Sequence, residues 1–150
     1  MSEEIKKLFG DKIIGAKNSE ISTDELKDKI IAVYFSAHWC QPCRGFTPLL
    51  SKTYQDIIKA NKAFEVVFVS SDSDEDNFKE YFKSMPWKAV SYEKEEFRTA
   101  IAEKFGIRGI PALIVLNSEG KVISKDGRVE VMKSKEKVYD IWATSTSSEK

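Results

Sequence analysis

Three apolar runs constrain what this chain can fold into more than any other feature. They are Ile30–Ser36 (IIAVYFS), Phe64–Ser70 (FEVVFVS) and Ala112–Leu116 (ALIVL). All are rich in β-branched and aromatic residues, and none alternates cleanly with polar ones. A strand wetted on one face alternates with a period of two, whereas a strand covered on both faces does not. The segments between the runs carry helical spacing instead. Strands buried on both sides, separated by amphipathic helices, demand an α/β architecture with a central mixed sheet.

The helical segments can be placed in outline. A helix is expected from about Cys43 to Ala60, because Phe46, Leu49, Leu50, Thr53, Tyr54, Ile57 and Ile58 recur at three and four. Pro48 lies inside it and should kink it. Asp72-Ser73-Asp74-Glu75 opens a second helix with an apolar stripe of Phe78, Tyr81, Phe82 and Met85, closed by Pro86. Asp72 reads as a cap of that helix rather than as a proton relay, the other role open to it. A third runs from about Lys94 to Phe105 and ends at Gly106. Asn117–Gly120 is a turn, Lys121–Lys125 returns as an antiparallel strand, and Lys133–Trp142 forms a last helix. Asp11–Ala16 reads as a short edge strand, and Ser22–Leu26 as a capped helical turn. The sheet should hold four or five strands. One domain over residues 1–143 is expected, with a flexible polar tail at 144–150 (TSTSSEK).

Charge and cysteine content narrow the function. The chain has 24 basic and 24 acidic residues, so no net field would draw it to nucleic acid or an anionic membrane. No apolar stretch reaches the length of a signal peptide or a membrane span, so the expectation is a cytoplasmic or nucleocytoplasmic monomer. Only two cysteines are present, Cys40 and Cys43. In a reducing compartment such a pair is catalytic or metal-binding more often than structural. Zinc needs four ligands, and the chain offers one histidine and no third cysteine. No metal and no cofactor beyond the redox-active Cys40–Cys43 disulfide is therefore expected, and no nucleotide-binding glycine fingerprint is present.

The pair falls between the first apolar run and the helix after it, in Trp39-Cys40-Gln41-Pro42-Cys43. In an α/β sheet, sites collect at the carboxyl ends of strands. Cys40 then meets unpaired N–H groups and the positive end of the helix dipole, which lower a thiol pKa. Cys40 is the expected nucleophile and Cys43, one turn inside, the resolving thiol. Pro42 stiffens the first turn, and Trp39 offers an apolar wall. His38, as a nearby cation, would depress the Cys40 pKa, or it is an exposed loop residue without a partner; Arg44 would steer an anionic thiol, or it is the solvated face of the first helical turn.

The run FSAHWCQPCRGFTP at Phe35–Pro48 resembles the WCxPC motif of the thioredoxin superfamily. It is most similar to the tryparedoxin and nucleoredoxin branch, whose pattern reads like FSASWCPPCRGFTP. The similarity continues through FEVVFVSSD (Phe64–Asp72), YFKSMPW (Tyr81–Trp87), FGIRGIPALIVL (Phe105–Leu116) and GRVEV (Gly127–Val131). The resemblance implies a thioredoxin-like fold, with helices on both sides of the sheet and a short N-terminal extension. It implies a cis Ile110–Pro111 bond facing the dithiol, with the Ile110 backbone pairing with substrate, and it links Arg128 to thiol-substrate binding. The chain departs from the branch in having Gln41 where proline is usual and His38 where serine is usual. Ser71 and Ser73 stand where tryparedoxins carry the tryptophan and glutamate that recognise trypanothione, which places the form nearer the nucleoredoxins. Tyr34 occupies the place of the buried aspartate of many thioredoxins, so the proton acceptor for Cys43 is unassigned.

These features together point to an enzyme that reduces protein or low-molecular-weight disulfides. Its partners would be disulfide-containing proteins such as peroxidases, and an external thiol or reductase would return the electrons. The alternative is a redox-dependent protein-binding module of the nucleoredoxin kind, in which catalysis is secondary.

Overall fold

The computed structural model describes residues 3–144. The tail expected at 144–150 therefore lies outside the described residues except for Thr144, which ends the last helix. The elements in order are α1 (Glu3–Phe9), β1 (Lys12–Ile14), β2 (Glu20–Ser22), β3 (Ile30–Ser36), α2 (Gln41–Lys59), β4 (Phe64–Ser70), α3 (Glu75–Phe82), β5 (Lys88–Ala89), α4 (Glu95–Lys104), β6 (Ala112–Leu116), β7 (Val122–Ser124), α5 (Gly127–Ser134) and α6 (Val138–Thr144). The strands form one sheet in the order β2-β1-β5-β4-β3-β6-β7. β3 pairs with β4 in parallel, Ile30 opposite Phe64 through Ser36 opposite Ser70. On its other side β3 pairs antiparallel with β6. The sheet is mixed, as expected.

The three apolar runs are the three central strands, and each buries both faces. Ala32, Tyr34, Phe64, Val66, Phe68, Leu113 and Val115 face one core, shared with α2, α3, α5 and α6. Ile31, Val33, Phe35, Val67, Val69, Ile114 and Leu116 face the other, shared with α1 and α4. The period-two split is present, but both halves are apolar because both sides of the sheet are covered. The first core is aromatic-rich. Phe68 packs among Phe78, Tyr81 and Phe82 at ring separations of 5.8, 5.6 and 6.3 Å.

Several elements differ from the sequence expectation. The sheet has seven strands instead of four or five, because β2 and β5 are only three and two residues long and leave no periodic signal. α2 begins at Gln41 and remains helical through Pro48 to Lys59. Asp74, not Asp72, caps α3: its carboxylate accepts the Asn77 N–H at 2.8 Å. The segment Lys133–Trp142 is not one helix: its first two residues end α5, a helix over Gly127–Ser134 for which the sequence reading gave no expectation, and a 3-10 turn at Lys135–Lys137, where Lys135 has φ +50°, separates it from α6. That break turns α6 so that Trp142 stacks on Phe64 at 5.7 Å while its indole N–H donates to Glu130 at 2.9 Å.

α5 starts against the sheet backbone. A Cβ added at Gly127 would lie 2.8 Å from the Leu113 carbonyl oxygen and 3.0 Å from the Leu113 side chain. The nearest obstacle is a backbone oxygen, which has little room to yield. Gly127→Ala is expected to lower the unfolding free energy by about 1–3 kcal/mol, read from urea unfolding curves. An unchanged midpoint would contradict this packing.

Candidate active site

β3 ends at Ser36, and a tight turn leads to the helix: the Cys40 N–H donates to the Ala37 carbonyl at 3.1 Å. Cys40 is the N-cap residue of α2, with extended backbone angles (φ −87°, ψ 108°). N-cap residues normally offer an oxygen to the free N–H groups of the first turn. Here sulfur takes that place, and Cys40 Sγ accepts the Cys43 N–H at 3.3 Å. Cys40 and Cys43 are joined as a disulfide, their Cα atoms 5.2 Å apart. Cys40 is 5% exposed and Cys43 is completely buried, so only the first sulfur lies near the surface.

The other expected site residues fall into two groups. Ala37, Cys40 and Cys43 form a small apolar cluster with Ile110 packed against it. Cys40 Sγ lies 3.9 Å from the Ile110 carbonyl oxygen, and the Ile110–Pro111 peptide bond is cis. Trp39 is 64% exposed, yet its indole N–H donates to the Ser71 carbonyl at 3.2 Å. Pro42 is exposed in the first turn of α2. Arg44 is exposed on the same helix, and its guanidinium makes no hydrogen bond or ion pair among the described residues. Arg128 is half-buried on α5, and its side chain likewise makes no such contact with the dithiol. The half-buried His38 ring meets the Tyr81 ring edge-on at 5.8 Å. Among the described residues no group of three or more His, Cys, Asp or Glu is arranged to hold a metal ion. None of the described helices is long and apolar enough to cross a membrane.

Sequence reading missed two features behind the dithiol. One is a set of buried hydroxyls that converge on Thr47. Thr47 Oγ1 donates to the Cys43 carbonyl at 2.9 Å and lies 2.7 Å from both the Tyr34 and the Tyr81 hydroxyls. Ser36 Oγ lies 2.7 Å from the Tyr81 hydroxyl in turn. With Thr47 donating to the carbonyl, both phenols can donate to Thr47 and Ser36 can donate to Tyr81, so every member is satisfied. The spacing of Cys43 and Thr47, one helical turn, was the available signal. The other feature is Asp72, whose carboxylate accepts the His38 N–H at 2.7 Å.

A parallel pair of central strands, a cysteine pair at the N-terminus of the following helix and the Ile110 carbonyl, preceding the cis-proline, beside the first sulfur define a thioredoxin-like oxidoreductase. Comparison with known proteins agrees. A family profile described as Thioredoxin-like matches residues 28–122, and the chain belongs to that family. It is 45% identical over 120 residues to nucleoredoxin of Bos taurus, covering 80% of this chain and 28% of that protein. It is 38% identical over 133 residues to tryparedoxin of Trypanosoma brucei brucei, covering 88% and 92%. A solved structure of tryparedoxin II complexed with glutathionylspermidine superposes with a TM-score of 0.83 at 31% identity, covering 89% of this chain and 94% of that one. The chain thus spans about a quarter of the length of the nucleoredoxins it matches and nearly all of the tryparedoxins.

Burial also sets the titration of two tyrosines. The Tyr34 phenol is pushed well above its ordinary 10.0 by burial, with the nearby Tyr81 adding to the effect. Tyr54 is raised by burial and then by Glu65. Tyr34 is thus a neutral hydroxyl near neutral pH and cannot serve as a resting base there. The folded state keeps both protons as pH passes 10.0, while the unfolded chain releases them. The stabilisation is therefore complete below that pH and is lost as pH rises above it. Stability is expected to fall steeply above about pH 10, and Tyr34→Phe should flatten the fall, read as urea midpoints across the alkaline range. An equal slope in the variant would refute the assignment.

Proposed function

We propose that this chain reduces disulfides of proteins or small thiol compounds through Cys40, with Cys43 as the resolving thiol. The observation that carries the reading is the placement of Cys40 Sγ as the N-cap acceptor of the Cys43 N–H, at the surface end of a pair whose second member is buried. An N–H donor and the helix dipole both favour sulfur as a thiolate, so the surface cysteine is the better nucleophile near neutral pH.

In the reduced protein the Cys40 thiolate attacks one sulfur of a substrate disulfide. The substrate S–S bond breaks, a mixed disulfide forms, and the departing thiolate takes a proton from solvent. Cys43 then loses its proton and attacks Cys40 Sγ, which releases the second substrate thiolate and closes the Cys40–Cys43 bond. Two electrons have passed to the substrate. An external thiol or reductase returns them, since the chain carries no nicotinamide or flavin fingerprint. The Ile110 carbonyl beside Cys40 is available to a substrate backbone N–H, and the exposed Trp39 face supplies an apolar wall. His38, Arg44 and Arg128 are candidate contacts for an anionic thiol substrate.

Thiol peptides and peroxidase-type disulfide proteins are the substrate classes that the likeness to tryparedoxins favours. The identity to nucleoredoxins favours a second reading, in which the same pair governs binding of a partner protein and turnover is slow. Insulin reduction with dithiothreitol separates the two. Turnover well above the thiol background, abolished by Cys40→Ser, is expected; no turnover would support the binding role. Cys43→Ser should arrest the reaction at the mixed disulfide, leaving substrate attached to Cys40 in non-reducing mass spectra. Attachment to neither variant of the pair would overturn the reductase reading.

A further inference from the structure

Cys40 stands at the end of a turn, Ala37–Trp39, that belongs to no strand or helix. A turn keeps a sulfur within a few tenths of an ångström of its N–H donor only if something outside the turn holds it. The three residues after Val69 supply the hold. The Ser71 N–H donates to the Ser36 carbonyl at 2.9 Å, which extends the β3–β4 ladder to the start of the turn. The Ser71 carbonyl accepts the Trp39 indole N–H. Between these two contacts, the Asp72 carboxylate accepts the His38 N–H at 2.7 Å, within the range of charge-assisted bonds.

Asp72 is itself fixed on every side. It is 4% exposed. Its second oxygen accepts the Ser70 hydroxyl at 2.7 Å, and its own N–H donates to that Ser70 oxygen at 2.9 Å. Its carbonyl accepts the Tyr92 hydroxyl at 2.9 Å. Tyr92 in turn carries the Arg98 guanidinium over its ring at 4.1 Å, and Arg98 donates to the Tyr92 and Ser70 carbonyls at 3.1 and 3.2 Å. Among the described residues the carboxylate takes part in no ion pair. It does not cap α3, which Asp74 does. A buried carboxylate costs free energy unless its hydrogen bonds are used, and here one of them goes to the turn that carries the redox sulfur.

We propose that Asp72 is a positioning residue for the dithiol: through the His38 amide it holds the turn in which Cys40 Sγ meets the Cys43 N–H. The inference rests on the reading of Cys40 as the attacking thiol, and its action is on geometry. The test must separate geometry from charge, because removing a nearby negative charge would by itself favour a thiolate. Asp72→Asn and Asp72→Ala both remove the charge. Only the asparagine keeps an oxygen for the His38 N–H, with an amide that can donate to Ser70.

The experiment compares the reduced full chain and both variants by the rate of Cys40 alkylation with iodoacetamide at neutral pH, and by the His38 amide proton resonance. The asparagine variant is expected to react about fivefold faster than the alanine variant, the equivalent of one ordinary hydrogen bond. The His38 amide should move upfield in Asp72→Ala and return toward its original position in Asp72→Asn. Equal rates and equal shifts in the two variants would overturn the proposal. If Asp72→Ala does not fold by circular dichroism, Ser70→Ala against Ser70→Thr gives the comparison. Loss of the orienting hydroxyl should then slow Cys40 relative to the threonine variant, and no difference would again overturn it. A wild-type Cys40 no more reactive than a free thiol would sink the reading of Cys40 as nucleophile. The His38 resonance would still decide the clamp.

Discussion

The parallel pairing of β3 with β4 is the constraint on which the site depends. Its register sets Ser36 opposite Ser70, so both strands end at the same level. The turn to Cys40 leaves from the end of β3, and Ser71-Asp72 leaves from the end of β4. Two segments that are far apart in sequence therefore emerge from the sheet side by side, and their backbone and side chains bond to each other. An antiparallel partner in place of β4 would have put the start of a strand there, and the turn would lack its support. β6, which is antiparallel on the other side, brings its beginning to the same edge, so the cis Ile110–Pro111 bond arrives beside Cys40 from there.

Hydrogen-bond accounting explains why sulfur sits where it does. The first N–H groups of α2 have no partner within the helix, and an N-cap side chain normally fills the need. Here Cys40 Sγ fills that place and accepts the Cys43 N–H at 3.3 Å. Behind it the chemistry changes character. The Cys43 carbonyl receives the Thr47 hydroxyl, and Tyr34, Tyr81 and Ser36 complete a set of neutral groups. With Tyr34 held protonated by burial, a buried set of hydroxyls lines this side of the cysteine pair. The front and back of the centre thus differ: the Cys43 N–H meets the outer sulfur, and satisfied hydroxyls support the inner residue.

Much of this was legible in the chain itself. Three apolar runs named the central strands to within a residue, because strands buried on both faces leave an unmixed signal. The dithiol, its place at a helix start and the order of exposure of the two sulfurs came from spacing and from the physics of helix ends. The failures have common causes. β2 and β5 are too short to show a period, and pairing with β1 or β4 is what makes them strands. A continuous helix at Lys133–Trp142 was expected because the apolar spacing tolerates it, whereas the observed break lets Trp142 reach both Phe64 and Glu130. Asp72 read as a cap since an acid before a helical stripe usually is one. Asp74 takes that role, two residues later.

Taken by itself, the sequence determined the layer architecture, the central strands, the redox pair and the end of the sheet where it works. Those are consequences of local pattern: burial on two faces, helical spacing and the unpaired donors of a first turn act over a few residues. Only the tertiary structure decided that Asp72 would hold His38 and that Thr47 would gather two phenols. These contacts join residues brought together by strand register and helix packing, and no local signal encodes which distant partner a buried polar group will find.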